Sequence, residues 1–245
     1  MSRRAVSRPL RSRTCFVSHQ IKFNGSGSVT VFPSAVALMR EIAASRAVFH
    51  SEADFQHTLA WQIHRHMPEA SVTLERPYRT ADKTLHLDLL VKSSGMALAV
   101  ELKYKTCELN VDGMDDAYVL RNQSAQDLGR YDFIKDVWRL EEITDAVPNC
   151  QGLAILLTND AGYWNPSKRL DTVDASFRIS EGVKIGGEMG WGSKASAGTM
   201  RGRERAISLR QKYLAAWSDY SKLSSVRNGT FRYLALIVDP GSAAK

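Results

Sequence analysis

Apolar residues recur along this chain at two spacings, and each spacing marks a kind of element. From Ser34 to Ala47 the residues Val36, Leu38, Met39 and Ile42 form a helical stripe. Ser51 can cap a second helix whose third residue is Asp54, and Phe55, Leu59 and Ile63 then repeat every four residues. Pro68 stops that run, so the pattern predicts a helix over about 52–67.

The period then changes from helix to strand. Val72 to Tyr78 alternates, Thr84 to Lys92 contains Leu87-Asp88-Leu89-Leu90-Val91, and Met96 to Tyr104 contains Ala97-Leu98-Ala99-Val100-Glu101-Leu102-Lys103. Ser93, Ser94 and Gly95 between the last two are a hairpin signal, which makes the second and third strands antiparallel neighbours.

A further helix over about 124–143 carries Leu128, Tyr131, Ile134, Val137, Trp138 and Glu141 at helical spacing and stops near Pro148. The apolar runs 152–158 and 231–238 have strand length and read as buried central strands. Between them, residues 182–202 hold seven glycines and read as a loop-rich insertion or loose hairpin. A helix with Tyr213, Trp217 and Tyr220 on one face is expected after it. Helix, three-stranded meander, helix, strand, insertion and strand is an α/β order with a mixed sheet flanked by helices.

Composition narrows the class. A chain of 245 residues with 44% apolar residues can bury one substantial core, expected over 34–245. Thirty-three Lys and Arg against 26 Asp and Glu leave a formal charge of +7, which favours phosphate-rich partners. No run reaches the roughly 18 to 20 apolar residues of a membrane span. Cys15, Cys107 and Cys150 lie at wide spacings with no zinc pattern, so a reduced cytoplasmic protein is the simple reading. Residues 1–33 read as a basic, poorly ordered arm, with Arg3, Arg4, Arg8, Arg11, Arg13 and Lys22 and no acidic residue up to Lys22. It can touch phosphates, act as a transit peptide or have no role.

The chemistry concentrates on the meander. Asp88 interrupts an apolar strand, where an unpaired carboxylate would cost several kcal/mol, and Glu101 repeats the problem one strand later. Alternation puts Glu101 and Lys103 on one face of their strand, and the hairpin brings Asp88 across from Glu101. Two converging carboxylates suit a hard divalent cation, and a neighbouring ammonium suits orientation of an attacking water.

Asp88, twelve intervening residues and then Glu101-Leu102-Lys103 resembles the signature of the PD-(D/E)XK, or restriction-endonuclease-like, nuclease superfamily. Leu87 stands where the family name has proline. The resemblance covers about Ser51 to Thr158, with Phe231 to Val238 as a further core strand. It implies a restriction-endonuclease-like core and a Mg2+-dependent phosphodiesterase, with Mn2+ able to substitute, acting on DNA in preference to RNA. It also implies metal ligation by Asp88, Glu101 and the Leu102 carbonyl, and a catalytic role for Lys103. A homodimer is compatible with it.

Other residues extend the site. Glu52 opens the sheet-facing stripe of its helix and is either the additional acidic residue of such sites or a first-turn partner of the helix dipole. Some relatives carry a Gln and a Tyr four apart after the meander, whereas here Gln126 precedes Arg130 and Tyr131. Lys105, Arg121, Arg130 and Lys135 are candidate phosphate contacts or a solvated face. Arg201, Arg203, Arg205 and Arg210 can clamp nucleic acid beside the glycine-rich loop or simply face solvent. His50, His57, His64, His66 and His86 offer no ligand pair at helical spacing. The rival to an enzyme is a noncatalytic nucleic-acid-binding module with the same fold.

Overall fold

The computed structural model describes residues 31–79, 84–112, 117–224 and 226–241. The arm up to Thr30 and Cys15 lie outside the described residues. Phe32, which sequence patterning assigns to the arm, is buried in the core, so the packed domain takes it in.

Two capped helices lead into the sheet. In α1 (Ala35–Ser45) the Ser34 hydroxyl accepts from the Ala37 N–H at 3.2 Å, and in α2 (Glu52–His66) the Ser51 hydroxyl accepts from the Asp54 N–H at 3.1 Å. The meander follows as β1 (Ser71–Arg79), β2 (Thr84–Ser93) and β3 (Met96–Lys105), antiparallel throughout. Ser94 at φ 51° and Gly95 at φ 75° form the two-residue turn between β2 and β3, the left-handed pair that a tight hairpin requires.

A short hairpin, β4 (Leu109–Val111) with β5 (Tyr118–Leu120), precedes α3 (Gln126–Ala146). From there the chain returns as β6 (Cys150–Thr158), parallel to β3. After β6 come a 3-10 turn (Ala175–Phe177), β7 (Lys184–Met189), the single-turn α4 (Ala197–Met200), β8 (Ile207–Leu214), β9 (Trp217–Lys222) and β10 (Thr230–Val238). The central sheet is mixed and six-stranded, in the order β1-β2-β3-β6-β10-β9, while β7 and β8 form a separate antiparallel pair.

The sheet separates two apolar cores. Leu98, Val100, Leu102, Leu153, Ile155 and Leu157 pack toward α1 and α2, whereas Ala97, Ala99, Ala154 and Leu156 pack toward α3 and the β7–β8 hairpin. Burial on both faces explains the unbroken apolar runs of β3 and β6. Gly152 allows α3 to lie close, because a Cβ there would stand 2.9 Å from that of Val238 and 3.1 Å from that of Leu140.

The helix expected to carry Tyr213, Trp217 and Tyr220 is instead the end of β8, a bend at Ala215 and Ala216, and β9. Ile207, Leu209 and Tyr213 are buried between exposed neighbours, a period-two pattern, and β9 pairs with the edge of β10. Tertiary pairing decides here over a spacing that also fits a helix. Among the described residues no helix is long and apolar enough to cross a membrane.

Candidate active site

Pairing between β2 and β3 ends at Leu89 opposite Val100. Beyond that point the N–H groups of Leu102 and Tyr104 no longer meet β2, and two carboxylates take them. Asp88 Oδ2 accepts from the Leu102 N–H at 2.6 Å, and Glu52 Oε2 accepts from the Tyr104 N–H at 2.7 Å. Each bond satisfies a backbone donor that burial would otherwise leave unpaired.

The other edge of β2 is interrupted at the same residue. The ladder with β1 runs through Leu74–Leu89 and Arg76–Leu87 but omits Glu75 with Asp88. Glu75 has φ 49°, a conformation costly for a residue with a Cβ. The side chain of Gln56 on α2 fills the gap, donating to the Asp88 carbonyl at 2.7 Å and to Glu75 Oε1 at 2.8 Å. Leu87 packs in the core beneath α3 and Leu89 in the core beneath α1 and α2, so strand alternation breaks at Asp88.

Glu101 and Lys103 both face α3, where two further charged residues wait. Lys103 Nζ lies 2.7 Å from Asp136 Oδ2 and donates to the Leu102 carbonyl at 3.0 Å. Arg139 spans Glu101 Oε1 at 3.0 Å and Asp136 Oδ1 at 3.2 Å, and donates to the His86 carbonyl at 2.8 Å. The Arg139 contact with Glu101 is an ion pair and not an aligned hydrogen bond. Both Glu101 oxygens are buried without a directed donor, and the residue is only 1% exposed.

This crowding shifts the ionisations. Burial, then the Asp136 charge, push the Glu101 carboxyl up to about 9 against the pull of Arg139. Burial also lifts Asp88 to about 6, opposed by the Leu102 N–H and Lys103. For Lys103 burial alone would favour the neutral amine, but Asp136, Glu52 and Asp88 outweigh it, raise its pKa and keep it charged.

Asp88, Glu101, Lys103 and Glu52 thus converge around the β3 segment 101–104. The Leu102 carbonyl points to the Lys103 ammonium. Asp136 and Arg139 were not singled out by sequence patterning. Their signal is a pair of charges three residues apart in a helix whose Phe133, Val137 and Leu140 are buried.

The outlying candidates divide in two. Gln126 donates to Asp160 at 2.7 Å, Arg130 pairs with Asp174 and donates to the Gly162 carbonyl, and Arg203 grips both oxygens of Asp132 at 2.8 and 2.7 Å. These three hold the fold internally. Arg121, Arg201 and Arg205 are exposed, and Lys105 is half-buried at the end of β3.

The carboxylates of Asp88 and Glu101 offer oxygen donors, and the buried Glu101 oxygens, which lack an aligned hydrogen-bond donor, fit a hard divalent cation. Among the described residues no three His, Cys, Asp or Glu side chains already stand as a metal cage. The chain matches no family model, no curated protein and no solved structure.

Proposed function

We propose that this protein is a metal-assisted nuclease of the PD-(D/E)XK type, hydrolysing phosphodiester bonds of DNA in preference to RNA. The observation that carries the reading is the gathering of Asp88, Glu101 and Lys103 around β3 where β2 leaves it, with both Glu101 oxygens buried and neither given an aligned hydrogen-bond donor. A structural carboxylate at that depth would be expected to have directed donors.

Asp88 and Glu101 would hold Mg2+ or Mn2+, with the Leu102 carbonyl as a further oxygen, and the ion would neutralise phosphate charge and acidify a water. Lys103, charged throughout the neutral range, orients that water and stabilises negative charge developing at the phosphate. Asp136 fixes the ammonium, and Glu52 anchors the strand by its bond to the Tyr104 N–H. Arg139 faces Glu101 Oε1 at 3.0 Å, and a bound cation would take over that position as Glu101 gives up its proton.

One observation favours a second reading. Lys103 and Glu101 are both already paired with residues of α3, a closed arrangement suited to a noncatalytic nucleic-acid-binding module with this fold. Incubation with supercoiled, linear and single-stranded DNA, in Mg2+ and in chelator, separates the two. Metal-dependent scission supports the nuclease, and tight binding with no scission under any divalent cation supports the module.

A further inference from the structure

A cavity of about 740 Å3 adjoins this centre, between α3, the facing ends of β1 and β2, and the segment 202–208 that enters β8. Arg139 belongs to both, since the guanidinium that holds Glu101 and Asp136 also lines the cavity. The volume lies within the range of about 300–1,000 Å3 typical of small-ligand sites.

The wall formed by the insertion is pinned in place. Arg203 grips Asp132 through two hydrogen bonds, the Trp191 indole N–H donates to the Arg203 carbonyl at 2.8 Å, and the Tyr131 hydroxyl donates to the Arg205 carbonyl at 3.0 Å. A segment beside a glycine-rich loop is thereby held against α3, which lowers the ordering cost of binding there.

Its lining combines cations with aromatic rings. The Arg205 guanidinium lies 5.2 Å from the centre of the Trp138 ring, and Lys135 Nζ lies 5.9 Å from that of Tyr131. Arg79, Lys135, Arg139 and Arg205 line the cavity against two carboxylates, Glu142 and Glu204. Glu204 already accepts from the Gly202 N–H at 2.8 Å. A polyanion with flat faces fits this lining, because a base can stack on the indole or on the guanidinium plane while the neighbouring phosphates meet Arg79 and Arg205. A duplex keeps its base faces stacked and could use only the cations.

We propose that this groove binds a single-stranded stretch of DNA and leads it past Arg139 toward Glu101. The delivery step rests on the nuclease reading, but strand binding does not. The test is fluorescence anisotropy of the full chain in chelator with labelled oligothymidylate and with a blunt duplex of equal length. Arg79→Glu/Arg205→Glu is the variant, because both side chains are exposed, and its melting curve checks folding. The expected result is preferential binding of the single strand, weakened at least tenfold in the variant. The slope of log affinity against log salt should also flatten, by about 0.7 per lost phosphate contact. Undetectable single-strand binding by the parent, unchanged binding by the folded variant, or duplex binding as tight as the single strand would each overturn the proposal. Since no cleavage occurs in chelator, a protein that binds strand but never cuts DNA would retain the groove and lose the nuclease. One that cuts but binds strand equally well without Arg79 and Arg205 would do the reverse.

Discussion

The Lys103 ammonium lies 2.7 Å from an Asp136 carboxylate oxygen, so the lysine of the motif is held from the helix that covers the sheet. Asp136 is also the largest charge opposing ionisation of Glu101. Asp136→Asn should therefore lower the Glu101 titration from about 9, while burial, the larger cause, still holds it above the ordinary carboxylate range. Carboxyl carbon NMR of the two proteins measures this directly. An unchanged Glu101 titration would remove Asp136 from the electrostatics of the site.

Stability without metal should depend on pH in a defined direction. Glu101 ionises near 4.5 as a free group and near 9 when folded, so between those values the folded state holds a proton that the unfolded chain has released. Stability is fully present below about 4.5 and falls as pH rises toward 9. Asp88, lifted to about 6, adds a loss of the same sign below its own value. Thermal melts in chelator from pH 5 to pH 9 should decline in the parent and decline less in Glu101→Gln.

Asp88→Asn should keep the bond to the Leu102 N–H, since an amide oxygen can accept where Oδ2 does now. It also removes a charge that burial disfavours, so stability in chelator at pH 8 should hold or rise by about 1 kcal/mol. The gain in melting temperature on adding Mg2+ should shrink, because the proposed metal site would lose an anionic oxygen ligand. A variant that melts far lower in chelator yet gains as much from Mg2+ would make Asp88 purely structural.

The close approach of α3 to the sheet gives a check on the fold itself. Gly152→Ala would put a Cβ 2.9 Å from Val238 Cβ and 3.1 Å from Leu140 Cβ, an overpacking that costs about 1–3 kcal/mol. Chemical denaturation of the variant reads the loss.

How much of this was legible beforehand differs by element. The β2–β3 hairpin and the shared face of Glu101 and Lys103 follow from period-two alternation and a Ser94-Gly95 turn, both local properties. The central place of β6 follows from its apolar run, whereas its parallel pairing with β3 is set by the crossover through α3 and is not written in the run itself. Tyr213, Trp217 and Tyr220 misled because spacings of four and three residues suit a helix, while the strand there is decided by pairing with β7 and β10. Asp136 and Arg139 escaped because their partners are distant in sequence, although charges beside buried Phe133 and Leu140 were a visible anomaly. The break in β2 at Asp88 depends on Gln56 reaching across from α2, which no local pattern encodes.

Cleavage of plasmid DNA in Mg2+ by the parent and by Lys103→Ala, each repeated in chelator and each verified folded by its melting curve, tests the central claim most directly. The expected result is scission by the parent that chelator abolishes, and a rate at least about a hundredfold lower in the variant, because in the proposed mechanism the ammonium would orient the water and stabilise transition-state charge. Absence of scission by the parent in any divalent cation, or equal scission by the folded variant, would contradict it.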